Sequence, residues 1–188
     1  MTRCYLVGTI HIRQVNESRL NVPVDMALLE GVYPGRISLA DWLLYMPVLL
    51  FYYIWIFILD HMKTDEGSTK KFLKTRNIKY ETVDLTMEEL FGMHREDIFF
   101  TAIWYVSIGC MLLDTPYRYV PFIASWLLII FHWVVATQKD RDRGLVNRIA
   151  ELIRGGKNVL VVRGRGHTGW IAQQLKKRGI EYEIISAY

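Results

Sequence analysis

The chain has 188 residues, 52 % of them hydrophobic, and a net charge of +4 at pH 7. This length suits one domain with a hydrophobic core, or a small domain together with membrane-embedded helices. No stretch is dense enough in Lys and Arg to predict a nucleic-acid-binding surface. Two cysteines are too few for a disulfide framework.

Short apolar runs with β-branched residues predict five buried strands. The predicted strands, in chain order, are residues 4–12, 24–31, 78–83, 158–163 and 180–185. Helical patterns precede the third and fourth runs and follow the fourth, and glycines at 155, 156 and 179 end two of these helices. Strands alternating with helices predict an α/β fold with a mainly parallel sheet and flanking helices.

Three longer apolar runs lie between the predicted strands, at residues 42–59, 98–113 and 119–136. Each is close to the roughly 17–25 residues that a membrane-spanning helix needs. Tyr and Trp residues lie near their ends, as in the aromatic belts of membrane proteins. A large buried helical core is the alternative, but too little polar chain remains to cover three such runs.

The distribution of Lys and Arg predicts the topology. Every Lys and Arg except Arg118 lies outside the apolar runs and the short turn 114–118, which places the polar blocks in the cytoplasm. The runs 98–113 and 119–136 then form a transmembrane hairpin. The run 42–59 does not cross alone; it lies in the interface, dips in and returns at Pro47, or packs against the hairpin.

The predicted protein is therefore an integral or tightly associated membrane protein whose α/β domain is interrupted by a hydrophobic helical insertion. The predicted segments are 1–41, 61–97 and 137–188 for the three parts of the α/β domain, 42–60 for a hydrophobic helix and 98–136 for the transmembrane hairpin. A two-helix hairpin buries little of its own surface, which is compatible with a homo-oligomer.

Residues 158–179 contain a glycine motif that allows two interpretations. Gly164, Gly166 and Gly169 form G-x-G-x-x-G after an apolar run, which is typical of a dinucleotide loop. Such a loop needs an acidic residue about 20 positions further on. Glu183 has that spacing but lies inside a strand pattern rather than at its end, so a nucleotide-binding regulator is the weaker alternative.

The other interpretation is a histidine site. The segments Gly8–His11 and Gly164–His167 both read Gly-x-x-His at the exit of an apolar strand, and Glu30 and Asp84 follow two further strands. Ligands of parallel sheets bind beyond the carboxyl ends of the strands. A histidine there can bind a metal or transfer a proton near neutral pH. One such histidine alone is more typical of a loop residue bonded to backbone, whereas the pair together with Glu30 predicts a site.

These motifs resemble the TraB/PrgY-like proteins and their Tiki relatives, within a wider group of Gly-x-x-His proteins. "YLVGTIHI" resembles their opening G-T-x-H strand, and "ALLEG" their strand that ends in a glutamate. "QKDRDRGLVNRIAELIRGGKNVLVVRGRGHTGW" is similar to their R-D segment, helix, strand and second G-x-x-H, and "KKFLKTRNIKYETVDLTMEEL" to their helix, strand and aspartate turn. Where the family continues Glu-Leu-Asp-x-x-Arg, this chain reads "EGVYPGR", which places Arg36 one residue late.

Tiki relatives are regarded as membrane-associated metal-dependent proteases, and PrgY-like members limit the activity of a peptide pheromone. The resemblance implies a cleft in which His11, Glu30 and His167 bind a divalent metal (zinc, manganese or cobalt) and act in catalysis. The other residues that the resemblance places around the ligand or in charge stabilisation are Gly8, Gly164, Asp84, Arg141 and Asp142. Taken singly, Asp84 is also typical of a turn cap, and Arg141 and Asp142 of solvated charges before a helix.

The sequence thus predicts a membrane-associated metal-dependent peptidase or hydrolase acting on a peptide, with the lipid bilayer as its other partner. A protein that binds or sequesters a peptide in the same cleft without turnover is the alternative from another functional class.

Overall fold

The computed structural model describes residues 2–10, 15–31, 36–61, 65–94 and 98–188. It contains five strands, which are β1 (Cys4–Thr9), β2 (Met26–Leu29), β3 (Lys79–Thr82), β4 (Val159–Gly164) and β5 (Tyr182–Ser186). They form one sheet in the order β3-β2-β4-β1-β5, and all neighbouring strands are parallel. The predicted α/β fold class is confirmed, including its helical insertion.

Seven α-helices and one short 3-10 helix lie within the described residues. They are the 3-10 helix Glu17–Leu20, α1 (Leu39–Leu44), α2 (Met46–His61), α3 (Asp65–Thr75), α4 (Met87–Met93), α5 (Ile98–Cys110), α6 (Val120–Arg154) and α7 (Arg165–Lys177). The longest is α6, with 35 residues.

Strand β4 is the centre of the sheet, because it pairs with both β1 and β2. Val159 lies opposite Cys4 on one side and Met26 on the other. At the other end of β4, Gly164 lies opposite Thr9. The carboxyl ends of all five strands therefore meet at one edge of the sheet, where the predicted site residues follow.

Both faces of the sheet are covered by apolar side chains, as expected for a parallel sheet. Because side chains alternate along a strand, Leu6 joins the cluster with the carboxyl-terminal part of α6 and with α7, whereas Val7 joins the cluster with α3. The first cluster includes Ile149 and Ile171, and the second includes Leu73. The three central strands β1, β2 and β4 are thereby buried on both sides.

The chain divides into two units. The sheet unit comprises Met1–Val32, Ile58–Asp84 and Asp140–Tyr188, and the helical unit comprises Tyr33–Phe57 and Leu85–Lys139. Of the described helices, α6 is long and apolar enough to cross a membrane. Core helices of soluble proteins can pass the same test, but only 22 % of the apolar window of α6 is buried.

The helical unit buries small polar residues and exposes large apolar ones. Thr101, Ser107 and Ser125 are buried, and the Oγ atoms of the two serines are 2.9 Å apart between α5 and α6. The large apolar side chains that α6 exposes in this unit are Val120, Ile123, Leu127, Leu128, Phe131, Val134 and Val135. The interior of the unit also contains large apolar side chains, among them Tyr45, Phe91 and Trp104.

The predicted hydrophobic run 42–59 is helical and packs within the helical unit. The Trp126 Nε1–H of α6 donates to the Pro47 carbonyl over 3.0 Å, and the Tyr105 hydroxyl of α5 donates to the Leu43 carbonyl. The ring of Tyr45 stacks on Phe91 with the ring centroids 4.0 Å apart. These contacts correspond to packing against α5 and α6, one of the three arrangements that the sequence left open for this run.

Helix bounds differ from the sequence pattern at two places. Helix α5 has 13 residues and ends at Cys110, so it is about 20 Å long, less than the roughly 30 Å of a bilayer core. Helix α6 continues without a break to Arg154. The interpretation of Arg141 and Asp142 as solvated charges before a helix is therefore wrong: both lie inside α6, and the side chain of Asp142 is only 1 % exposed.

Candidate functional site

A cluster of charged side chains lies at the carboxyl edge of the sheet, entirely within the sheet unit. We call it the edge cluster; its members are Glu30, Asp84, Arg141, Asp142, Arg163 and His167. Glu30 follows β2, Asp84 follows β3, and Arg163 belongs to β4. The topology of the sheet thus brings together residues that are far apart in the sequence.

One half of the edge cluster is centred on Arg141. Its Nε–H donates to Asp84 Oδ1 over 2.8 Å, and its Nη2–H groups donate to Asp84 Oδ2 and, over 3.0 Å, to Glu30 Oε1. The side chain of Asp84 is fully buried. Asp84 is therefore a buried partner of a guanidinium, and its interpretation as a simple turn cap does not describe this contact.

The other half is centred on Asp142. Its Oδ1 accepts the Nε–H of Arg163 over 2.8 Å, and the same oxygen lies 2.8 Å from His167 Nδ1. Asp142 Oδ2 lies 2.9 Å from that nitrogen as well. Because the carboxylate only accepts, these distances assign the proton of a neutral His167 ring to Nδ1. The lone pair of the ring is then on Nε2.

His167 is placed by a helix start. Helix α7 begins directly after β4, with Gly164 as its N-cap and His167 in its first turn. The histidine side chain is 16 % exposed, in contrast to the nearly inaccessible Asp142 and Arg163. The strand exit predicted from sequence is thus a strand-to-helix junction that presents the imidazole.

Glu30 is held as a carboxylate next to this junction. Its Oε2 accepts the backbone N–H of Gly164 over 2.9 Å, and its side chain is 14 % exposed. Burial raises the pKa of Glu30, but the charges of Arg163 and Arg141 and the Gly164 N–H outweigh burial and lower that pKa to about 2. A protonated His167 ring would act in the same direction.

The dinucleotide alternative finds little support in this geometry. A pyrophosphate would bind at the amino end of α7, where the ionised Glu30 already accepts the N–H of Gly164. A Cβ atom at Gly166 or Gly169 would meet no described atom within 4 Å, so neither glycine is required by a close approach there. Glu183 is exposed within β5.

Gly8 has a packing role. It lies inside β1, and a Cβ added there would be 3.1 Å from Thr168 Cγ2 and 3.4 Å from Arg165 Cα. Glycine at this position therefore lets α7 approach β1 closely. The prediction placed Gly8 next to a ligand, but the space at its Cβ position is occupied by the first turn of α7.

The structure brings together most of the predicted site residues. Glu30, Asp84, Arg141, Asp142, Gly164 and His167 are joined by the contacts above. His11 falls outside the described residues. Arg36 lies in the helical unit, where its backbone N–H donates to Glu88 over 3.1 Å.

Sequence reasoning missed Arg163. It is 1 % exposed and bonded to Asp142, whereas the sequence pattern indicates only that it belongs to a strand. A charged residue at the end of the apolar run "VLVV" is itself a signal, because a buried charge requires a buried partner.

The described residues fit a metal only in part. Among them no group of three or more His, Cys, Asp or Glu side chains is arranged to hold a metal ion. His167 offers an oriented imidazole nitrogen and Glu30 an ionised carboxylate, which are two of the three predicted ligands. Comparison of the chain with family models, curated proteins and solved structures found no match. The resemblance to TraB and Tiki proteins therefore stays a prediction from the motifs.

Proposed function

We propose that the sheet unit is a metal-dependent hydrolase that acts on a peptide, with its chemistry at the edge cluster. The observation that supports this most is the pair formed by Asp142 and His167, in which both carboxylate oxygens face Nδ1. Metal-binding histidines commonly donate their second ring N–H to a carboxylate, which fixes the ring and raises its basicity. In this proposal His167 Nε2 and Glu30 are ligands, and His11 is the third.

The charge of the edge cluster also favours a cation. Its described members provide three carboxylates and two guanidiniums, so their sum is −1 while His167 is neutral. A divalent cation at His167 would compensate this excess. An anionic ligand would increase the repulsion.

The chain's own residues have distinct roles in this mechanism. The chemistry that a divalent metal supplies when bound is polarisation of the scissile carbonyl and activation of water. Asp142 holds the His167 ring with Nε2 free to bind. Arg141 offsets the charges of Glu30 and Asp84, so both carboxylates persist in a buried place.

The test compares zinc affinity and peptide hydrolysis in three variants of the full chain. His167→Gln should abolish zinc binding and peptide hydrolysis, and Asp142→Asn should lower the zinc affinity and the rate of hydrolysis about 10- to 100-fold. His132→Gln changes a histidine of the helical unit and should have no effect. A wild-type chain that binds no divalent metal, or a His167→Gln variant that hydrolyses peptide normally, would contradict the proposal.

A non-catalytic peptide-binding protein is the second candidate. It is favoured by the contacts of Glu30, whose two oxygens already accept hydrogen bonds from Arg141 and Gly164. Incubation of the wild-type protein with candidate peptides, followed by mass analysis, distinguishes the two functions. Shortened products indicate the hydrolase, whereas intact but retained peptide indicates the binder.

We also propose that the helical unit is embedded in a lipid bilayer. Its buried Thr101, Ser107 and Ser125 and its exposed apolar side chains match the pattern of membrane helices, where small and polar residues mediate helix contacts. In water the same unit would expose an unusually large apolar surface.

If the helical unit is embedded as proposed, the sheet restricts how often each insertion can cross the bilayer. Residues 33–57 and 85–139 each leave and re-enter one sheet, so each must cross the bilayer an even number of times. The first insertion contains only the six-residue α1 and part of α2, too little for two crossings, so it enters and returns on one side. The second crosses twice, through α6 and the shorter α5, with the bilayer thinned at α5.

Labelling of single cysteines in intact vesicles tests this topology. Ser38→Cys and Lys74→Cys should react with an impermeant maleimide from the same side, and Thr115→Cys from the opposite side. Extraction of the protein by alkaline carbonate would contradict membrane embedding. Labelling of Ser38→Cys and Lys74→Cys from opposite sides would contradict only the topology.

A further inference from the structure

We propose that Arg163 is a positioning residue for the His167 site, acting through Asp142. This rests on the proposed function, and it adds a residue that neither motif contains. Arg163 does not have to contact substrate or metal. Arg163 orients the Asp142 carboxylate, and this carboxylate orients the His167 ring.

The contacts of Arg163 point to Asp142. Among the described residues, its side chain makes one hydrogen bond, donated by Nε–H to Asp142 Oδ1, and its Nη1 and Nη2 are buried without a hydrogen-bond partner. Nη1 lies 3.5 Å from Asp84 Oδ2, a distance for an ion pair without a hydrogen bond. The directional contact is therefore the one with Asp142.

The shared oxygen makes the connection specific. Asp142 Oδ1 lies 2.8 Å from Arg163 Nε and 2.8 Å from His167 Nδ1. Rotation of the carboxylate would change both contacts at once. Because Arg163 and Asp142 are each 1 % exposed, water does not replace either partner. By holding the Asp142 carboxylate in place, Arg163 fixes the position of the acceptor for the His167 Nδ1–H. The orientation of the ring, and therefore of Nε2, is fixed as well.

The backbone position of Arg163 strengthens this role. It is the penultimate residue of the central strand β4 and lies opposite Gly8 in β1, and its carbonyl accepts the hydroxyl of the buried Thr9 over 3.3 Å. Asp142 is held on a different element, α6. Arg163 therefore ties the rigid centre of the sheet to the helix residue that orients the imidazole.

The principal test is Arg163→Lys, which keeps the charge but loses the planar Nε–H geometry. We expect zinc affinity and kcat to fall about 10- to 100-fold while KM changes less than about threefold. The matched control is Arg148→Lys, because Arg148, like Arg163, forms ion pairs with two carboxylates, here Glu81 and Glu151, but has no described contact with Asp142 or His167. Zinc affinity and kcat of this control should equal those of the wild type.

Nitrogen NMR of the histidine rings gives a readout that does not depend on catalysis. In the wild type His167 should be the Nδ1–H tautomer, and in Arg163→Lys its signals should move towards a mixture with Nε2–H. If wild-type protein binds no zinc, the proposed function fails, yet the ring spectrum still tests Arg163. An Arg163→Lys variant with reduced melting temperature but unchanged zinc affinity and ring signals would show that Arg163 is only structural.

A measurement on the wild type alone covers the case in which Arg163→Lys does not fold. Zinc added to the protein should shift the Nε–H signal of Arg163 through Asp142, whereas the Nε–H signal of Arg148 should stay in place. In a protein that binds zinc, equal responses of the two arginines, or none, would overturn the proposal.

Discussion

The sheet unit and the helical unit differ in the polar side chains that they bury and in the apolar side chains that they expose. In the sheet unit, residues such as Leu6 and Ile149 are buried, and the charged side chains that are also buried have partners in the edge cluster. In the helical unit, hydroxyl groups such as that of Ser107 are buried, while Leu127 and Phe131 are exposed. This difference is what we expect if water surrounds the first unit and hydrocarbon the second, as proposed above, since each solvent selects the surface that it contacts.

The largest expected effect follows from breaking a buried ion pair in the sheet unit. Asp142→Ala leaves Arg163 buried without a hydrogen-bonded partner, which should lower the free energy of unfolding by about 3–5 kcal/mol. Denaturant titration of the detergent-solubilised chain measures this loss.

Glu81→Ala is the control, because Glu81 pairs with Arg148 in a partly exposed place. We expect a loss of no more than about 1 kcal/mol there. Equal losses in the two variants would mean that burial does not distinguish the edge cluster from an ordinary surface pair.

The next effect tests the solvent of the helical unit. Leu127 and Ile184 are both 59 % exposed, one on α6 and one on β5. If hydrocarbon surrounds α6, Leu127→Asp should oppose membrane insertion by about 2.5–3.5 kcal/mol, whereas Ile184→Asp should change stability by about 0.5 kcal/mol at most. An insertion assay measures the effect of Leu127→Asp, and denaturant titration measures that of Ile184→Asp. Similar small effects would contradict the proposal that hydrocarbon surrounds α6.

The third prediction concerns pH. The pKa of Glu30 is lowered from 4.5 to about 2, chiefly because the charges of Arg163 and Arg141 outweigh its burial. The stability that this shift contributes is fully present above pH 4.5 and is lost as the pH falls towards 2. Glu30→Gln should therefore cost about 2–3 kcal/mol at neutral pH and flatten the stability curve between pH 4.5 and 2.

Unfolding of both proteins at several pH values measures this curve. The exposed Glu183 is the matched control, and Glu183→Gln should leave the shape of the curve unchanged. An unaltered acid branch in Glu30→Gln would show that other carboxylates dominate it.

The smallest effect is expected from the hydroxyl pair in the helical unit. Ser107→Ala removes the contact with Ser125 and should cost about 0.6 kcal/mol, the average for hydrogen bonds between membrane helices. A double-mutant cycle with Ser125→Ala measures the coupling. Strictly additive losses would indicate that the two hydroxyl groups do not interact.

Much of the fold could be predicted because the strands have an unusually clear pattern. Runs such as "YLV" and "VLVV" are apolar at every position, as expected for strands buried on both faces. The extent of α6 could not be predicted in this way. Its segment "KDRDR" suggests a solvated turn, yet in a helix Asp142 points inward while Arg143, one residue later, is 67 % exposed.

The edge cluster was predictable where a residue type marks a strand exit, as at Glu30, Asp84 and His167. It was not predictable at Arg163, because the partner of a buried charge can lie anywhere in the sequence. Asp142 is 21 residues away from it and on another element. Such pairing depends on sheet order, and sheet order depends on connections that local patterns do not contain.

The central place of β4 has a consequence for the order of folding. Its partner β1 precedes it by 155 residues, the separation of Cys4 and Val159. Its other partner, β2, is also synthesised before β4. A chain emerging from the ribosome presents both apolar insertions before β4 exists, so β1 remains unpaired during most of synthesis. We therefore expect the sheet to close late and slowly during folding. Closure depends on the six-residue strand β4, which pairs with β1 and β2 after the intervening helices have formed.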